Sequence, residues 1–183
     1  MSYKRQYAHV SRFLGLRCAP DILVAQLFPN GKEVSESMAT LEAVRKHVLD
    51  DDLSERSEGV ALISVGDGKT PRTAALFAFM TAWDCFSIDP LLAPIDGTNE
   101  FHGISVDRLS VIGKKAQDVK IDCFAYGRVV IVGVHSHASV DEMLSCVTNT
   151  RRLDCVFMPC CVSQYGIGED VIEYDDEGIW SPH

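Results

Sequence analysis

Several familiar signals are missing from this chain, and each absence narrows what it does. The 183 residues contain no run of about 18 apolar residues, so no membrane-spanning helix is expected. MSYKRQYAHV has basic residues with no apolar stretch behind them and does not read as a secretory signal. Positive charge is short, with 17 Lys and Arg against 26 Asp and Glu and a formal net charge of -9. Broad non-specific binding to nucleic acid or to an anionic membrane is not expected, which leaves room for a small local basic patch. There are no internal repeats and no low-complexity segments. Seven cysteines occur (Cys18, Cys85, Cys123, Cys146, Cys155, Cys160 and Cys161), but no CxxC pair, so neither a zinc ribbon nor a thioredoxin-type motif is indicated. An odd number of thiols, several in expected buried elements, reads as a reducing, intracellular and cytoplasmic setting.

What is present is a chain of one-domain length, 46% hydrophobic, organised around residues 60–92. Val60–Val65 is a nearly continuous apolar run, the pattern of a strand buried on both faces. Gly66-Asp67-Gly68-Lys69 follows as a turn whose glycines permit positive φ. Thr70 is read as an N-cap and Pro71 as the first helical residue. The spacing predicts a helix to Trp83, its positive end directed at whatever sits on the turn. A second strand ends at Asp89, 23 residues after Gly66 and close to the roughly 20-residue interval at which an acid meets ribose hydroxyls.

Residues 1–57 read as an N-terminal helical segment and residues 58–183 as a Rossmann-like core, together one domain. Helices are expected over 22–28 and 35–49, separated by a turn at Pro29-Asn30-Gly31-Lys32. They either cover the ligand pocket or simply pack beside the first strand. Asp50-Asp51-Asp52 reads as a solvated helix exit, opening a linker that reaches Gly59. Further strands are expected over 106–112, 128–134 and 153–158. Ser139 and Glu142 form a capping box for a helix running to about Thr150. Residues 170–180 read as a strand, a turn and a short strand. The alternation predicts a mostly parallel sheet with helices on both faces, a three-layer α/β sandwich.

Ligands of open α/β sheets bind outside the carboxyl ends of the strands. Those ends carry Gly66-Asp67-Gly68, Asp89-Pro90, Gly113-Lys114, His135-Ser136-His137 and Pro159-Cys160-Cys161. His135 and His137 suit general acid–base work, metal binding with Cys160 and Cys161 as partners, or ordering of the loop. The two cysteines read either as a small buried pair shaping a wall or as a nucleophile. Asp67 suits a ligand or the turn itself, and Arg72 a carboxylate or solvent.

The order VGDG, SIDP, VHSHA, MPCC over residues 60–160 resembles class I S-adenosylmethionine-dependent methyltransferases. The resemblance implies a cofactor site at Gly66, Asp67, Gly68, Asp89, Pro90 and Gly113, with His135 and His137 as catalytic residues. There is a looser likeness to members with a histidine motif after the fourth strand and a double cysteine after the fifth, some of which modify transfer RNA. The acceptor is left open among RNA, protein and small molecules, and a protein partner is allowed. Ser64 and Thr70 stand where the family commonly has an acid and a third glycine. The rival expectation is therefore a methyltransferase-like binding or scaffold module without catalysis. A dinucleotide-binding protein is a third reading, weakened by the same missing glycine.

Overall fold

A computed structural model describes residues 7–158 of the chain. Three helices come first: α1 (Ala8–Leu14), α2 (Ala19–Val24) and α3 (Gly31–His47). The first of these was not expected. Helix α3 begins inside the expected turn because the Asn30 side chain accepts from the Glu33 N–H at 3.1 Å, capping a helix at Gly31. Arg45, Lys46 and His47 in its last turn complement the negative end of the helix dipole.

The central sheet has five strands: β1 (Val60–Val65), β2 (Asp84–Ile88), β5 (Leu109–Ile112), β7 (Arg128–Val134) and β9 (Leu153–Met158). Two short pairs lie outside it, β3 (Glu100–Phe101) with β4 (Ile104–Ser105) and β6 (Ile121–Asp122) with β8 (Val147–Thr148). The spatial order is β5-β2-β1-β7-β9, and every pairing is parallel. Counted along the chain, the strands stand 3-2-1-4-5, an α/β layout compatible with a Rossmann-like fold. The order reverses between β1 and β7, so the crevice that such a sheet offers a ligand opens at Gly66 and His135.

The two faces of the sheet sort by alternation. Val60, Leu62, Val130 and Val132 pack with α1, α2, α3 and α4 (Arg72–Met80), including the fully buried Phe77, and with Trp83 just beyond α4. Ala61, Ile63, Val65, Val129 and Ile131 pack on the other face against Ala116, Val119, Met143 and Cys146, the last pair from α5 (Val140–Ser145) and its end. Continuous apolar runs are what two-sided burial demands, and each full burial of such a side chain contributes about 1.5–3 kcal/mol.

Strands β1, β7 and β9 have the expected bounds, and Ser139 with Glu142 makes the expected capping box. Helix α5 stops at Ser145 rather than near Thr150 because Val147 and Thr148 pair with β6. Helix α4 ends at Met80, where the Thr81 hydroxyl folds back onto the Phe77 carbonyl at 2.8 Å. Asp50 is more than a solvated exit. Arg128, buried at the start of β7, donates to Asp50 at 2.8 Å, to Asp154 at 2.6 Å and to the Val48 carbonyl at 2.8 Å. That clamp ties the linker to the amino edge of the sheet. Among the described residues no helix is long and apolar enough to cross a membrane. The expected closing strands over 170–180, and Pro159-Cys160-Cys161, lie outside the described residues.

Candidate functional site

The glycine turn after β1 is held almost entirely by its own chain. Gly66 has φ +91°, and its N–H donates to the Ile88 carbonyl at 2.9 Å. A Cβ there would lie 2.8 Å from the Ser136 side chain, so the glycine is required by the close approach of the β7 tip. Asp67 turns inward and is 2% exposed. Its carboxylate accepts from the Thr73 and Ala74 N–H groups, each at 3.2 Å, and from the Ser87 hydroxyl at 2.7 Å. The positive end of α4 therefore faces Asp67 itself. Sequence reasoning gave the cap to Thr70, whose hydroxyl instead donates to the Leu27 carbonyl at 2.6 Å. Pro71 is the cap position and Arg72 the first helical residue, so the helix starts one residue later than expected. Arg72 donates to the Asp67 carbonyl and pairs with Glu33 on α3 at 2.7 Å, closing the turn from outside.

Asp89 follows β2 and is partly exposed. One carboxylate oxygen accepts from the Gly68 N–H at 2.9 Å and the other from the Leu91 N–H at 2.8 Å, capping the 3-10 turn Pro90–Ile95. Each oxygen keeps a further lone pair. Gly113 packs against that same turn, where a Cβ would fall 2.3 Å from the Ala93 Cα, and its N–H donates to Asp96 at 2.7 Å.

His135 ends β7 in the left-handed region at φ +52°, its N–H donating to the Met158 carbonyl at 2.9 Å. Side chains rarely hold this conformation, and it turns the chain out of the strand into the tip. The ring Nε2 lies 2.6 Å from Oε1 of Glu36. Glu36 comes from α3, is 2% exposed, and shares the same oxygen with Lys32 Nζ at 2.5 Å. Burial alone would push the Glu36 carboxyl up; the hydrogen bonds and charges of His135 and Lys32 outweigh it and hold it below the ordinary carboxylate value. Helix α3 is locked in place by Ser37, whose hydroxyl meets that of Thr73 at 3.0 Å. The next residue of the tip, Ser136, is buried and accepts from the Ala138 N–H at 3.2 Å, while His137 is exposed.

A cavity of about 400 Å³ opens at the carboxyl ends of β1, β2 and β7. Gly66, Asp89, Pro90, His135 and His137 line it; Asp67, Gly68 and Gly113 do not. The difference is physical: Asp67 is spent on α4, the Gly68 amide on Asp89, and Gly113 on the backbone behind the turn. Leu91, Lys115, Ala116 and Gln117 join the lining, none of them expected there from the sequence. Glu142 is also there, held below its ordinary value by the Ser139 N–H and hydroxyl that it accepts from as a cap.

Glu36 was not expected at the site. A signal existed: a lone acid in the run Val34-Ser35-Glu36-Ser37-Met38-Ala39, four residues after a lysine, stands on the face that α3 buries.

Cys85 and Cys146 are buried free thiols, and burial pushes both up, Cys146 to about 11. They behave as small hydrophobes rather than nucleophiles. Among the described residues no group of three or more His, Cys, Asp or Glu could hold a metal ion.

Comparisons with models of known families, with curated proteins and with solved structures each find no match.

Proposed function

We propose that this domain is an S-adenosylmethionine-dependent methyltransferase. One observation carries the reading: a single cavity at the switch point of a parallel sheet has the acid ending β2 and the histidine tip of β7 in its lining. Its size suits a small ligand, since such pockets commonly run from about 300 to 1,000 Å³. The residues present fit a nucleoside. Asp89 is anchored by two backbone N–H groups and keeps acceptor capacity on both oxygens for a pair of ribose hydroxyls. Ile88, Leu91 and Ala116 supply apolar surface beside it.

S-adenosylmethionine, when bound, supplies an electrophilic methyl group. The chain's own contribution is to orient and to move a proton. Asp89 fixes the nucleoside end, and the tip 135–138 lines the space an acceptor would enter. His135 or His137 takes the proton of an O–H or N–H acceptor.

One observation favours a second reading, a binding module that does not turn over. The glycine turn and the start of α4 are saturated by Asp67 and Arg72, so the cofactor has fewer free backbone donors there than the resemblance implies.

Calorimetric titration with S-adenosylmethionine and S-adenosylhomocysteine, with NAD as control, tests both. Micromolar binding of the sulfur ligands alone, weakened at least about tenfold (roughly 1.4 kcal/mol) in Asp89→Ala, supports the cofactor site. An Asp89→Ala protein that folds and binds them unchanged would sink it. Binding without turnover on any acceptor would favour the module.

A further inference from the structure

We propose that Glu36 is a positioning residue of this site. It holds the His135 ring with Nε2 as the N–H and leaves Nδ1 as the proton-accepting nitrogen. The geometry is specific. An ionised carboxylate offers only acceptors, so at 2.6 Å from Oε1 the Nε2 nitrogen must carry the hydrogen. The carboxylate has little freedom, being 2% exposed on a helix packed against α4 and β7, with Lys32 on the same oxygen. Among the described residues Nδ1 makes no hydrogen bond, and His135 lines the cavity. This arrangement of carboxylate, imidazole and free nitrogen is the one by which a second group fixes the tautomer of a histidine base.

What Nδ1 does rests on the methyl-transfer reading. There, the proton of an O–H or N–H acceptor passes to Nδ1, and the positive charge the ring gains faces the Glu36 carboxylate. The tautomer itself does not rest on that reading. The other charged groups around the ring belong to the cavity lining, Asp89, Lys115, His137 and Glu142, and to α3, where Glu33 is engaged with Arg72. The N-terminal segment is thereby part of the site rather than packing alone, since it supplies the carboxylate.

The test is a proton NMR search, on the full chain labelled with nitrogen-15, for a slowly exchanging, hydrogen-bonded imidazole N–H. His135→Gln assigns the signal by deleting it. Glu36→Leu removes the acceptor and should abolish the signal, whereas Glu36→Gln keeps an acceptor oxygen and should retain it. Titration of the wild-type protein with S-adenosylmethionine runs beside it. A signal that persists in a folded Glu36→Leu protein, or is absent from the wild type, overturns the assignment, and the wild-type result decides if Glu36→Leu does not fold. Failure of the wild type to bind the cofactor while the Glu36-dependent signal is present would instead strike the methyl-transfer reading and leave the tautomer assignment standing.

Discussion

The glycine turn after β1 and the histidine tip after β7 leave adjacent strands at the same edge of the sheet, yet their polar groups face in opposite senses. In the turn, the Asp67 carboxylate, the Gly66 and Gly68 amides and the Arg72 guanidinium are all bound to neighbours in the fold. At the tip, His135 is anchored by one ring nitrogen, His137 makes no hydrogen bond among the described residues, and both border the cavity. A motif that reads as a ligand cradle can thus be a joint. Backbone amides that would hold a ligand serve equally well to hold a buried carboxylate, and a buried carboxylate needs them.

Asp67→Ala breaks that comparison if it is wrong. The substitution strips two N–H groups at the start of α4 and the Ser87 hydroxyl of their acceptor in a site 2% exposed. A loss of about 3 kcal/mol is expected, from one helix cap and stranded buried donors. Urea unfolding should give a lower midpoint at unchanged slope. A variant of normal stability that no longer bound ligand would make the turn a cradle after all.

Gly66→Ala comes next, at about 2 kcal/mol, combining strain at positive φ with a Cβ 2.8 Å from Ser136. The pairing with the tip is the sharper test. In a double-mutant cycle Ser136→Gly should return about 1 kcal/mol of that loss, because it removes the Cβ and Oγ that stand in the way and leaves only the Ser136 Cα, at 2.9 Å. Strict additivity would mean that the two loops are not braced against each other.

How much of this could be read from residue order follows from what kind of signal each feature sends. The strands of residues 60–65 and 128–134 stood out because two-sided burial leaves nearly unbroken apolar runs, while 153–158, only partly buried, was legible from its short run of mostly apolar residues. The Ser139–Glu142 box was legible because capping is local. Asp89 at the cavity follows from spacing, since a strand and a helix have fixed lengths. The direction in which Asp67 points was not legible: an acid between two glycines looks the same whether it faces a ligand or a helix end, and Ser87, 20 residues on, settles it. Glu36 and His135 lie 99 residues apart, and no local pattern joins them. Sequence alternation also gave no hint that Gly113 answers to Ala93 rather than to a ligand.

The smallest effect concerns the acid limb of stability, and it separates the anchored histidine from a free one. Glu36 is held below its ordinary value in the folded chain by His135 and Lys32, against the push of burial. The unfolded chain lacks both partners and binds a proton more readily. Stability from this group is therefore fully present above the ordinary glutamate value, about 4.3, and is lost as pH falls through the lower folded value. His135→Gln removes one partner and brings the folded value back toward the unfolded one. That variant should be less stable than the wild type at pH 7 and should lose less on going to acid, so the two urea midpoints converge as the pH falls. Parallel curves would mean that the 2.6 Å contact carries no charge coupling, and Glu36 would then hold the His135 ring as a hydrogen-bond acceptor alone.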